Sequence, residues 1–192
     1  MVKEIDWRQK LIALKGPLTD HDKVDILLIY ASFKPTAIIT ELACFRSDPA
    51  SRKQFLEVVR SLKQILKGLK LEYALSLNYP KDSNQLTAPS FIARNKKTLA
   101  LLMRAHKIKN TKQRRLRVGT LLGYPMTAVI AFANGEIMEN STLPAMFRRK
   151  PEMKFLNFKL SRNFKKEFGY LSKEACVIKK IAPKLYKRIV IK

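Results

Sequence analysis

"RRLRVGTLLGYPMTAVIAFANG", residues Arg114 to Gly135, opens with three arginines in four residues and continues as an uncharged apolar run broken by Gly-Tyr-Pro. Two readings compete for it: a nucleic-acid reading head, or an apolar hairpin with a basic edge. A helix-turn-helix needs a small residue where its second helix crosses the first, a glycine four residues later for the turn, and apolar anchors on both helices. Gly119 and Gly123 stand at that spacing. Val118 and Leu122 can anchor the first helix, Tyr124 can plug the turn, and Val129 and Phe132 become the inward positions of a second helix that starts at Pro125.

The outward positions of that second helix are then Pro125, Met126, Thr127, Ile130, Ala131 and Asn134, of which only Thr127 and Asn134 can hydrogen-bond a base edge. Direct readout relies mainly on Arg to guanine and on Asn or Gln to adenine, and this helix has no charge. From Val118 to Phe147 the chain contains no Lys or Arg. In so basic a protein that void predicts core or a protein interface, and a hairpin buried on both sides.

The residues before the hairpin read differently. "KIKNTKQRRLR" brings Lys107, Lys109, Lys112, Arg114, Arg115 and Arg117 into one short stretch. A helix that starts near Lys112, capped by Asn110 or Thr111, carries the three arginines in its first turns. A helix N-terminus disfavours cations, so this placement points to an external anion held by exposed amides and guanidinium groups. A second basic clamp, Arg148, Arg149 and Lys150, follows the hairpin. These nine residues are the candidate nucleic-acid contacts. The segment "GTLLGYPMTAVIAF" also resembles an LGYP segment of small uncharacterised prokaryotic proteins, a likeness confined to under a tenth of the chain that implies no activity.

Charge supports the polyanion reading. The 192 residues carry 39 Lys and Arg against 15 Asp and Glu, a formal +24, and such a field attracts phosphate polymers. Residues 1–100 hold 17 basic and 10 acidic side chains, and residues 101–192 hold 22 and 5, so the second half carries most of the excess. Basic composition inherited from a lysine-rich proteome would give the same total without a partner.

Periodicity outlines the rest. Val24, Leu27, Leu28 and Ala31 predict a helix over His21–Phe33, capped at Thr19 or Asp20 and ended by Lys34-Pro35, with a strand over Thr36–Thr40. Asp48 and Pro49 start the next helix, whose stripe from Phe55 to Leu66 ends at Gly68. "LEYALSLN" and "APSFIARN" read as strands separated by the polar turn "YPKDSNQLT", and Asn95 caps a helix on which Leu99, Leu102, Met103 and His106 share the inward face. Phe155–Leu160 reads as a strand, Ser161 and Ser172 as caps of two helical segments, and the tail "CVIKKIAPKLYKRIVIK" as docking on the core with lysines outward.

The expected fold is therefore a mixed α/β (α+β) single domain: helices packed on a small sheet, with a mainly helical second half that holds the helix-turn-helix-like hairpin. Residues 1–94 form its α/β part, 95–147 the helical hairpin part, and 148–192 a basic C-terminal segment.

Chemistry beyond phosphate binding finds little support. Cys44 and Cys176 have neither metal-ligand nor disulfide spacing and read as small buried apolar groups. Neither His21 nor His106 has a second ligand at metal spacing, and Asp20, Asp22 and Asp25 read as a solvated helix start rather than a cation site. Dinucleotide, P-loop, zinc and nucleophile-elbow motifs are missing, so no cofactor and no metal is expected.

The leading expectation is non-catalytic binding of RNA or DNA through phosphate contacts, with RNA ranked slightly higher and Tyr79, Phe147 and Tyr170 as possible stacking aromatics. Alternatives are a protein partner on the uncharged 118–147 surface and an enzyme acting on a phosphorylated substrate. No apolar run reaches transmembrane length and the N-terminus lacks a secretory pattern, so a cytoplasmic location is expected.

Overall fold

Thr19 starts the first long helix as half of a reciprocal cap: its Oγ1 accepts from the Asp22 backbone N–H at 3.1 Å, and Asp22 accepts from the Thr19 N–H at 2.9 Å. A computed structural model of the chain describes residues 5–39, 42–45, 47–78 and 84–191. Helix α1 (Trp7–Ala13) precedes α2 (Asp20–Tyr30), and α2 ends before Lys34-Pro35, where the chain turns into β1 (Thr36–Ile39). After β2 (Ala43–Phe45) comes α3 (Pro49–Gly68), capped by Asp48 with Pro49 at its first position and burying Phe55, Val58, Val59, Leu62, Ile65 and Leu66.

Strands β3 (Glu72–Leu75), β4 (Gln85–Thr87) and β5 (Ser90–Ala93) follow. One antiparallel sheet has the order β1-β5-β3, with Thr36 opposite Ala93 and Glu72 also opposite Ala93 on the other side. A second, two-stranded sheet pairs β2 with β4. Helices α4 (Lys96–His106), α5 (Thr111–Leu121), α6 (Met126–Asn134), α7 (Ala145–Arg148), α8 (Phe164–Ile181) and α9 (Pro183–Ile191) make the second half helical. The mixed α+β expectation holds. No described helix is long and apolar enough to cross a membrane.

Two apolar clusters organise these elements. The larger joins α1, α2 and α3 to the sheets and to α8 and α9 through residues such as Leu27, Ile39, Leu62, Ile92, Ile178 and Leu185. The tail thus docks as expected, with Leu185 and Ile189 buried. The smaller cluster, Ala128, Leu143, Phe158, Leu160 and Leu171, seats the hairpin on α8.

Several expectations are corrected. The strand over Phe155–Leu160 is a 3-10 turn, Pro151–Phe155, followed by extended chain with one bridge between Leu160 and Met138. Ser172 caps nothing, because α8 runs unbroken from Phe164 to Ile181; with Leu171, Ala175 and Ile178 on one side, its apolar stripe needs no interruption there. Part of the polar turn "YPKDSNQLT" is strand β4, stabilised by burial of Leu86, whereas Tyr79 and the rest of that turn up to residue 83 lie outside the described residues, as does Thr40. Cys44 is buried but Cys176 is exposed. The helical face of α8 that enters the core is the one holding Ala175 and Ile178, which leaves Cys176 outside.

Candidate functional site

Asn110 caps α5 by accepting the Gln113 N–H at 2.9 Å, which fixes the start of the hairpin and sets Arg114, Arg115 and Arg117 in the first two turns. Helices α5 and α6 then cross at Gly119. A Cβ there would stand 2.9 Å from Val129 Cγ2, so the close approach admits no side chain. Gly123 makes the turn at φ +76°, in the left-handed region, against the Pro35 ring. The hairpin expected from the glycine spacing is present, and Thr36 ties it to the sheet by donating from its buried Oγ1 to the Leu121 carbonyl at 2.6 Å.

Its outward face departs from expectation. Phe132 is 39% exposed and Ala131 is buried, the reverse of the sequence reading, because α6 turns Ala128, Val129, Ala131 and Ala133 toward its neighbours. The small alanines allow close packing on that side, and the large Met126 (51% exposed), Ile130 and Phe132 stand outside. The hairpin is therefore not buried on both sides. Thr127, one of the two candidate base readers, donates its hydroxyl to buried Glu167 at 2.7 Å and is withdrawn from any groove.

Between α5, α6 and the chain at Leu156–Lys159 lies a cavity of about 770 Å³. Its walls are largely aliphatic and aromatic, including Ile38, Val118, Leu122, Tyr124, Val129 and Phe158. Among the described residues, Arg114, Arg115, Lys159 and the His106 imidazole line it, and no carboxylate does. His106 is exposed, sets its ring edge-on to Phe91 with centroids 5.1 Å apart and lines the cavity, so of the core or its edge, the two places that helical periodicity allowed, it takes the edge.

The two neighbouring arginines have different fates. Arg115 donates from Nη1 to the Phe132 carbonyl at 3.4 Å and lies over the Phe132 ring at 4.7 Å, so the carbonyl end of α6 supplies the anion-like partner that its sequence position lacked. The Arg114 side chain forms no hydrogen bond or ion pair among the described residues. It is a cation on an apolar wall.

The nine sequence candidates separate in space. Arg114 and Arg115 line the cavity, while Lys107, Lys109, Lys112 and Arg117 stand exposed on the α4–α5 corner and the flank of α5. Arg148 and Arg149 are exposed at the end of α7, and Lys150 lies over the rings of Phe147 and Phe168 at 5.4 and 4.8 Å. The second clamp does not enter the cavity. Phe147 is packed edge-on against Phe164 and Phe168, and Tyr170 packs against Phe33 and Phe158, so neither is a free stacking platform.

Behind Tyr124 lies a buried polar centre that sequence reasoning missed. Lys34, with no exposed surface, donates to Asp25 Oδ1 at 2.7 Å, stands 3.9 Å from Glu174 Oε1, and sits 4.8 Å from the Tyr124 ring centroid. Asn157 donates from Nδ2 to the same Asp25 oxygen at 2.9 Å and reaches the cavity wall. Burial pushes the Glu174 carboxyl up to about 7, with Lys34 pulling against the rise and Asp25 adding to it. Burial, with the same two carboxylates, also holds the Tyr124 and Tyr170 phenols above their ordinary range. One signal was in the sequence: Glu174 and Glu167 occupy the same helical stripe as Leu171, Ala175 and Ile178, where charge demands a buried partner.

The aspartates of α2 are bound to the protein and are not the solvated start that their sequence suggested. Asp20 pairs with Arg188 at 2.7 Å, Asp22 completes the cap of Thr19, and Asp25 holds Lys34. No group of three or more metal-ligating side chains occurs among the described residues. No protein family, characterised protein or solved structure matches this chain.

Proposed function

We propose that the protein binds nucleic acid through the phosphate backbone, without catalysis, using the basic surface of α4 and α5. One observation carries this reading. Between Asp82 and Glu136 the chain holds ten Lys and Arg residues and no Asp or Glu, and none of the ten forms an ion pair among the described residues. An unneutralised surface of that length repels itself, and a phosphate chain that releases its counterions on binding offsets the cost.

The contacts are Lys107, Lys109, Lys112 and Arg117 on the exposed corner, with Arg114 and Arg115 at the cavity rim and Arg148, Arg149 and Lys150 as a separate patch. Apolar α6 offers no base-edge reader apart from Asn134, so recognition rests on backbone shape, and single-stranded or duplex RNA ranks above duplex DNA. Fluorescence anisotropy with all three nucleic acids at several salt concentrations tests it. Affinity should fall steeply and linearly with the logarithm of salt; no binding at low salt removes the reading.

A second reading has its own observation. Met126, Ile130 and Phe132 form an exposed apolar face on α6, with Ile137 and Met146 also exposed nearby in sequence. Such a face suits a protein partner, and binding there would be insensitive to salt.

A further inference from the structure

We infer that the cavity between α5 and α6 binds a small organic anion with a compact apolar body. This goes beyond nucleic-acid binding and does not rest on it. The volume of about 770 Å³ falls within the ordinary range for small-molecule sites, about 300–1,000 Å³. The ligand's chemistry follows from the wall. Val118, Leu122, Val129 and the Tyr124 and Phe158 rings ask for apolar surface, and Arg114, Arg115 and Lys159 ask for negative charge.

Three features separate this cavity from a generic surface dent. No carboxylate among the described residues lines it, so its cations are not neutralised from within that wall. The Arg114 guanidinium has no protein partner among the described residues, although a guanidinium beside apolar walls gains most from a carboxylate, phosphate or sulfonate that accepts two parallel N–H bonds. Arg115, held by the Phe132 carbonyl and ring, is fixed in place before any ligand arrives.

The test uses the full chain and two probes that differ by one group: anilinonaphthalene sulfonate, and N-phenylnaphthylamine, which lacks the sulfonate. The sulfonate should bind at one site per chain and about tenfold more tightly than the neutral probe, a difference that one charge-assisted hydrogen bond supplies. Arg114→Gln should weaken the sulfonate about tenfold and leave the neutral probe unchanged. Leu156→Trp, which enlarges a side chain lining the cavity, should remove both. Because that variant could fail to fold, its melting curve is recorded beside that of Arg114→Gln, which alters a side chain with no partner. The combined Lys107→Gln, Lys109→Gln and Lys112→Gln variant should bind both probes as the parent does. Equal affinity for the two probes, or an Arg114→Gln variant that binds the sulfonate unchanged, overturns the assignment. So does a lysine variant that weakens the sulfonate as much as Arg114→Gln, because surface ion pairing then explains the binding.

Discussion

Lys34 and Glu174 meet 3.9 Å apart with neither side chain exposed, and Asp25 holds the same ammonium at 2.7 Å. Two carboxylates share one cation, and Asp25 has the shorter contact. Burial, against the longer contact with Lys34, makes Glu174 the group whose ionisation the fold resists.

The pH dependence follows from that pair. Glu174 rises from an ordinary 4.5 to about 7 in the folded protein. A raised carboxyl stabilises the fold below the unfolded value, and that contribution is lost as pH climbs through the folded one. The rise corresponds to about 3 kcal/mol at most. Thermal melts of the parent should therefore lose stability between about pH 4.5 and 7. Glu174→Gln, which keeps a neutral side chain beside Lys34, Asp25, Tyr170 and Tyr124, should flatten that slope. An unchanged slope would place the titrating group elsewhere.

At the helix crossing, Gly119→Val should destabilise the protein by about 2 kcal/mol or more, because the added methyl groups have no space beside Val129. Val129→Ala makes room in the same place. The double variant should recover part of the loss, a coupling of about 1 kcal/mol in denaturant titrations. Strict additivity would show that the two residues do not meet.

Thr36→Val removes the hydroxyl that joins β1 to the last turn of α5 while keeping the side-chain shape. The Leu121 carbonyl then loses its donor, at a cost of about 1–3 kcal/mol. Chemical denaturation measures it. Hydrogen exchange should also rise in α5 and α6, since this bond links the hairpin to the sheet.

For nucleic acid, changing Lys107, Lys109, Lys112 and Arg117 together to Gln should weaken binding alike across unrelated sequences and lower the salt slope by about one for each phosphate that is no longer neutralised. These side chains lie on the exposed surface, so the melting temperature should stay within a few degrees of the parent. Weaker binding to one sequence alone would mean base readout, which α6 is not equipped to perform.

What the sequence determined by itself was local. The Thr19, Asp48, Asn95 and Asn110 caps, the stripe of α3 and the Gly119–Gly123 spacing each depend on residues within a few positions, so periodicity and turn chemistry were enough to place them. The candidate arginines were legible as a charged run, but their division was not. Arg115 is satisfied by a carbonyl seventeen residues away, whereas Arg114 beside it is left on the wall of a cavity. Tertiary structure alone decided which face of α6 is buried, because every residue from Ala128 to Ala133 is apolar, so no polar side marks the outside and only the neighbours select between faces. It also brought Lys34, Asp25, Asn157 and Glu174 together from three distant parts of the chain. A buried charge is stable only where such partners converge, and no linear spacing encodes that convergence.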